Sequence, residues 1–419
     1  MATVPSSTRP AQAPPAGAAA DRPMALRLLF MLGALSAFGP LSLDMYLPAL
    51  PDLATGLDVA DAQVQLTLTS CLVGLAAGQL LAGPLSDRWG RRTPLLIGLA
   101  GYAVASVLCA LAPNVTALTG LRLLQGMAGA VGIVISRAIV RDLYGGTAAA
   151  RCFSLLMLVN GAAPILAPVI GGQLMRFTSW RGIFVTLGVI GALLLALTVL
   201  LLGETLPRER RLSGGLGQAL RSFGALLRDP GFMRYALAGG FAFAAMFAYI
   251  SASSFVLQDV YGLSPQRFSL LFAGNALGIM LLGQCNVRLL RRTSPQTPLR
   301  AGLLLSAAGG AGLLIAVTAG LGLPAVLVSL FAVVSSIGLI MPNSTALSLS
   351  GHPEAAGTAS ALLGLVQYAL GGVSAPLTGL GGTGTALPMA VVIASFAGAA
   401  VLVYLWPGGR DRVQERDAS

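Results

Sequence analysis

Apolar residues run through this chain in blocks of about twenty, and polar residues gather between the blocks instead of alternating within them. Block length is the informative quantity, because an α-helix needs about 20 mostly apolar residues to cross a bilayer. Twelve blocks qualify, at 24–47, 62–82, 94–112, 118–140, 153–175, 183–202, 233–255, 268–288, 299–319, 324–349, 355–380 and 385–406. They predict an all-α membrane protein of twelve transmembrane helices. The longest polar interruption, Glu204 to Arg234, holds six arginines and splits the twelve into six and six. The expected organisation is a tail over 1–23, a first six-helix half over 24–203, a linker over 204–232, a second half over 233–406 and a tail over 407–419.

Composition agrees with the pattern. Of 419 residues 55% are hydrophobic and only 10% charged, and the mean hydropathy is +0.81, which excludes an ordinary soluble domain. Residues 1–23 are rich in Ala and Pro and lack an apolar core of their own, so they read as a disordered tail and not as a cleaved signal peptide. Cys71, Cys109, Cys152 and Cys285 are scattered, with no Cys-x-x-Cys pair; they read as small packing residues, neither a disulfide nor a metal set. His352, the single histidine, falls in a predicted turn beside Pro353. No metal site is expected.

All 26 basic residues are arginine. With the N-terminus in the cytoplasm, 21 of them fall in the tails and cytoplasmic connections and only Arg176, Arg181 and Arg267 face the other side. The positive-inside rule therefore predicts that both termini are cytoplasmic. The net charge of +11 is thus explained by topology, and no nucleic-acid partner is called for.

Asp44 stands near the far end of the first block, in Leu43-Asp44-Met45-Tyr46-Leu47-Pro48. A charge at membrane depth is costly and faces a bundle interior or a water-filled cavity. Capping explains it poorly, since a helix running outward ends at the negative pole of its dipole. Arg122, about four residues inside the outer end of the fourth span, lies at similar depth; proximity to Asp44 would ease both charges. Arg137 is close enough to the cytoplasmic end to snorkel. Gln79, Gln125, Asn160, Tyr249, Asn275, Asn343, Gln367 and Tyr368 read first as hydrogen bonders between helices. Tyr46, Phe247, Tyr249, Tyr368 and Gln367, with Met246 as adaptable filler, are candidate walls of a cavity for an apolar compound.

An internal repeat appears at an offset of 200 residues. Gly83, Arg88, Arg91 and Arg92 correspond to Gly283, Arg288, Arg291 and Arg292, and Gly171-Gly172 to Gly371-Gly372. Two parallel halves about a midplane site are one architecture of secondary transporters.

The Gly83–Arg92 stretch, with Leu85, Asp87, Arg88, Gly90, Arg91 and Arg92, resembles the G-x-L-x-D-R-x-G-R-R signature of the major facilitator superfamily. Gly83 and Gly90 suit a tight turn and close helix approach. The resemblance implies a latch on the cytoplasmic face built from Gly83, Asp87, Arg88, Gly90 and Arg91, with Asp142 and the region near Gly357 as partners. Arg122-Leu-Leu-Gln125-Gly126 resembles a second family signature. Pro164, Ala167, Pro168, Gly171 and Gly172 resemble its antiporter signature G-P-x-x-G-G, with Ala167 in place of the first glycine. The narrower resemblance is to the Bcr/CflA drug:proton antiporters, carried by Pro40–Pro51, Ser179–Phe184, Glu204–Pro207, Gly240–Phe247 and Ala356–Ser360. It implies a bacterial inner-membrane protein, monomeric, that exchanges small, mostly apolar drugs for protons without a cofactor.

No nucleotide-binding loop, metal-ligand spacing or nucleophile–base constellation appears, so an enzyme and an ATP-driven pump are not expected. Proton coupling is sufficient: one charge crossing about 150 mV yields roughly 3.4 kcal/mol, a gradient on the order of 300-fold for a neutral substrate. With one deep acid, neutral or zwitterionic compounds of amphenicol or bicyclomycin type fit better than strong cations. Export of an amino acid or endogenous metabolite is the alternative.

Overall fold

A computed structural model describes residues 26–144, 146–208, 211, 224–350, 356–379 and 384–406. The expected tails 1–23 and 407–419, residues 209–210 and 212–223 of the 204–232 linker, and His352 lie outside them. Each of the twelve predicted blocks falls on a helix. These are α1 (Leu26–Ser36, resuming as Phe38–Asp44), α2 (Asp61–Trp89), α3 (Arg92–Ala110), α4 (Val115–Leu143), α5 (Gly146–Leu174) and α6 (Trp180–Leu201). Then follow α7 (Pro230–Phe255), α8 (Pro265–Leu289), α9 (Gln296–Thr318), α10 (Gly322–Ser350), α11 (Ala356–Gly379) and α12 (Leu387–Leu405). Among the described residues nine helices are long and apolar enough to cross a membrane, ten with the bent α1. In α5 the described apolar part is Ala162–Leu174.

The packing repeats with the sequence. In the first six helices α1 packs on α4 and α5, α2 on α4, and α3 on α4 and α6; six helices later α7 packs on α10 and α11, α8 on α10, and α9 on α10 and α12. Between the two sets, α2 packs on α11 and α5 on α8, contacts that the same sixfold shift exchanges. That is the arrangement expected of two parallel repeats about one axis.

Two departures from the expected elements matter for function. The first helix does not run straight through 24–47. It bends by 45° at Ala37 and stops at Asp44. Pro40 lacks the N–H that would bond back to the Ser36 carbonyl, and Ser36 Oγ donates to the Gly33 carbonyl, both of which weaken a helix there. Beyond Asp44 the chain turns through a 3₁₀ segment, Leu47–Ala49, into a short helix, Leu50–Leu57.

Second, α2 continues to Trp89, so the turn expected over Gly83–Arg92 shrinks to Gly90 and Arg91. Pro84 is tolerated inside the helix, and Gly83 sits mid-helix with open space where a Cβ would point. The tight turn is made by Gly90 alone, at φ +90°, a conformation that suits glycine.

The bundle has two distinct ends. One carries Arg88, Arg91 and Arg92; the other carries Leu47, Gln65 and Gly172. At the second end the two helix sets are tied together. Ser254 Oγ donates to the Leu47 carbonyl (2.6 Å), Gln258 Nε2 to the Pro48 carbonyl (3.3 Å), Gln266 Nε2 to the Gly172 carbonyl (2.8 Å) and Thr378 Oγ1 to Gln65 Oε1 (3.3 Å). Thr69 to the Gly372 carbonyl and Gln79 to Tyr368 lie deeper. Among the described residues no hydrogen bond or ion pair joins the two sets at the arginine-rich end.

Candidate functional site

Asp44 is the last residue of its helix segment and is 7% exposed. Among the described residues no donor and no cation lies within bonding distance of its carboxyl. It stands at the C-terminal end of that segment, where the helix dipole opposes a negative charge. A carboxylate left without partners at membrane depth costs about 3 kcal/mol.

Arg122 is fully buried in α4 and among the described residues has only neutral partners. Nη2 donates to the Ser42 carbonyl (2.8 Å) and Nη1 to Gln125 Oε1 (2.7 Å). Its guanidinium lies 4.9 Å from the Tyr46 ring centroid and 5.5 Å from that of Phe184, within cation–π range. Gln125 Nε2 passes the chain on to Ser106 Oγ (2.7 Å), Ser42 Oγ meets the Tyr102 hydroxyl (2.7 Å), and the Tyr46 hydroxyl bonds Thr67 Oγ1 (3.0 Å). Arg122 Nε is buried without an acceptor.

Asp44 and Arg122 therefore do not form the ion pair that their similar depth invited. The reason is register. Arg122 grips the helix at Ser42, and residues two apart on a helix do not face each other.

Directly after Asp44, the Met45 carbonyl packs against Gly171 of α5 so closely that a Cβ there would overlap it. Gly172, the next residue, faces Ser269 and the Pro265 carbonyl of α8 in the same way. Of the expected antiporter residues, Pro164, Pro168, Gly171 and Gly172 all lie within α5, and this adjacent glycine pair seats the acid's segment on one side and the opposite helix set on the other.

The candidate cavity residues separate. Tyr46 is buried in the Arg122 network. Tyr249 is buried too; its hydroxyl accepts from Asn275 Nδ2 (2.8 Å) and its ring stacks on Phe272. Met246 packs against a buried cluster that includes Leu299, Leu303, Ile337 and Ala400, within the second helix set. Phe247 stacks on Phe243, and Phe243 meets Tyr368 edge-on. Gln367 is half-buried beside Tyr368. A cavity of about 200 Å³ lies between α2, α4 and α11, lined by Gln79, Leu80, Arg137, Ser360, Leu365 and Tyr368 among others. Of the six candidates only Tyr368 lines it. Arg137, read from sequence as a snorkelling residue, is exposed on its wall with no partner among the described residues.

At the arginine-rich end, Arg91 is buried and its Nε donates to Asp142 Oδ2 (2.7 Å), while Nη1 donates to Asp87 Oδ1 (2.5 Å) and Ser86 Oγ (2.8 Å). Burial pushes its guanidinium down, but Asp142 and Asp87 outweigh this and leave it above its usual value, firmly charged. Arg88 is exposed. Glu204, to which sequence reasoning gave no role here, accepts from the backbone N–H groups of Arg91 (2.8 Å) and Arg92 (3.3 Å), capping α3 from the far end of α6. A Cβ at residue 90 would collide with its carboxylate, so Gly90 serves both the turn and this cap. Partial burial pushes the Glu204 carboxyl up, but the N–H groups of Leu206, Arg91, Arg92 and Thr205 outweigh it and hold it below the usual 4.5. The whole cluster lies within the first six helices and the residues just after them.

These features match known proteins over nearly the full chain. The Major Facilitator Superfamily model matches residues 29–376. The chain is 42% identical over 370 residues to the uncharacterized MFS-type transporter YdgK of Bacillus subtilis, covering 88% of this chain and 92% of that one. It is 32% identical over 383 residues to a bicyclomycin resistance protein homolog of Haemophilus influenzae, covering 91% and 96%. Among solved structures, a D-xylose–proton symporter superposes with a TM-score of 0.69 at 17% identity, covering 91% and 98%. The chain belongs to the Major Facilitator Superfamily of membrane transporters, within its Bcr/CflA branch.

Proposed function

We propose that this transporter exports small, mostly apolar drugs of bicyclomycin or amphenicol type in exchange for protons, with Asp44 as the proton carrier. One observation supports the reading: among the described residues the deep carboxyl has neither donor nor cation, and the segment that follows it ties the two helix sets together. Desolvation favours the neutral acid. Ionising Asp44 demands water or a cation, so it favours a state in which this region opens. The Met45–Pro48 segment conveys that demand, since Gly171, Ser254 and Gln258 all meet it.

The arginine-rich end is taken as cytoplasmic, with both termini there, on the 21-to-3 arginine bias. The contacts at the other end then correspond to an inward-facing arrangement of two six-helix halves in the bacterial inner membrane, working as a monomer. The Asp87–Arg91–Asp142 cluster, braced by Glu204, keeps the ends of α2, α3 and α4 rigid, and the open space at Gly83 leaves room for close approach when this face shuts. Purified protein in vesicles with an acidic lumen should accumulate drug only while the proton gradient lasts, and Asp44→Asn should stop it; accumulation that ignores a protonophore would overturn the reading.

A second reading has its own observation. Arg137 on the cavity wall suits a carboxylate-bearing amino acid or metabolite. Competition by such compounds, lost in Arg137→Gln, would favour it over an apolar drug.

A further inference from the structure

On the outer surface of the first helix set an apolar groove of about 440 Å³ runs between α2, α3 and α4. Gly98, Gly101 and Ala128 floor it, and exposed Leu81, Ile97 and Val104 wall it. At the arginine-rich end the groove stops at Trp89, which also lines a polar pocket of about 560 Å³ together with Arg92, Thr93, Glu204, Arg208 and Arg211. One residue thus joins an apolar channel to a charged chamber.

The chamber holds three guanidinium groups against one carboxylate. That carboxylate is engaged: Glu204 accepts four backbone N–H groups and lies 3.7 Å from Arg211. Arg208 is exposed with no partner among the described residues, and the Nε atoms of Arg92 and Arg211 are buried without an acceptor. Arg92 Nη2 donates to the Val199 carbonyl (3.1 Å), so the surplus is cationic and its donors are only partly spent. The groove reaches from Trp89 to Gly78 along α2, about 16 Å, and from Pro94 to Leu108 along α3, about 21 Å, comparable to the roughly 15 Å depth of one leaflet.

We infer that groove and chamber together bind one anionic phospholipid, its phosphate among Arg92, Arg208 and Arg211 and one acyl chain along α2–α4. A neutral lipid would leave the cationic surplus unmatched, and a soluble phosphate would leave the groove unused. Because Glu204 caps the Arg91–Arg92 turn, a lipid held here also braces that turn.

The test is native mass spectrometry of delipidated protein titrated separately with dioleoyl phosphatidylglycerol, dioleoyl phosphatidylcholine and glycerol 3-phosphate. One phosphatidylglycerol should bind saturably and in preference to phosphatidylcholine. Arg208→Gln with Arg211→Gln should weaken it on the order of 20-fold, to the phosphatidylcholine level. Gly101→Leu should weaken both lipids alike, because a Cβ at 101 only touches Ala128 Cβ at 3.6 Å and the added side chain fills the groove without disturbing the core. Equal affinity for the two lipids in wild type, an unchanged double variant, or displacement by glycerol 3-phosphate at comparable concentration would each overturn the inference. Should the double variant melt lower than wild type, Arg208→Gln alone, at an exposed and unpaired side chain, carries the same comparison.

Discussion

Asp44 matters at the residue scale for what it lacks. Its depth was legible, because a carboxyl inside an apolar block is rare and expensive. Its separation from Arg122 was not, since that depends on the bend at Ala37 and on which side of a short helix meets α4. The network behind the arginine's partners Ser42 and Gln125 was less legible for a related reason. Ser42, Tyr102 and Ser106 look like packing residues in an apolar span, although a buried tyrosine hydroxyl always needs a partner. Asp44→Asn should abolish protonophore-sensitive efflux with normal membrane expression; unchanged efflux would move coupling elsewhere. Gln125→Leu strips Arg122 of an acceptor and Ser106 of a donor, and should lower stability by about 2 kcal/mol in thermal or denaturant unfolding. A variant as stable as wild type would mean that the network carries little weight.

Helices were the most legible elements, since every predicted block overlaps one, although the 24–47 block is broken at Ala37 and ends at Asp44. Their interruptions were not. The sequence offers Pro40, Pro48 and Pro51, but nothing in periodicity says that the helix ends at Asp44, and nothing local marks Gly90–Arg91 as the whole of the turn. Long-range partners decide both: Gly171 of α5 admits the Met45 carbonyl, and Glu204 caps α3 across 112 residues. Gly171→Ala should displace the Asp44 segment and cut transport at least tenfold while the protein still reaches the membrane; near-normal transport would show that the close approach is dispensable. Glu204 sets a pH dependence with a definite sign. Its folded carboxyl titrates below the usual 4.5, so its contribution to stability is complete above that value and is lost as pH falls through the folded one. The gap in melting temperature between wild type and Glu204→Gln should therefore close below about pH 4.5; a gap independent of pH would contradict the capping role.

At the scale of the whole molecule, the repeat at an offset of 200 residues foreshadowed the recurring helix pairs, and exchange of α2–α11 with α5–α8 gives the two sets one shared seam. Which end of that seam is closed is a property of three-dimensional contacts that no sequence motif announces. Ser254→Ala with Gln266→Ala removes two ties at the end bearing Leu47 and Gly172, and should raise the outward-open population, read as longer spin-label distances there and shorter ones at the arginine-rich end; unchanged distances would place the seal elsewhere. If drug and proton exclude one another through Asp44, linkage requires acid to weaken drug binding. Drug affinity of the purified protein from about pH 5 to about pH 9, in wild type and in Asp44→Asn, measures this directly. Wild-type affinity should rise with pH and the variant's should stay flat. A flat wild-type profile, or a slope that survives in Asp44→Asn, would remove Asp44 from the exchange.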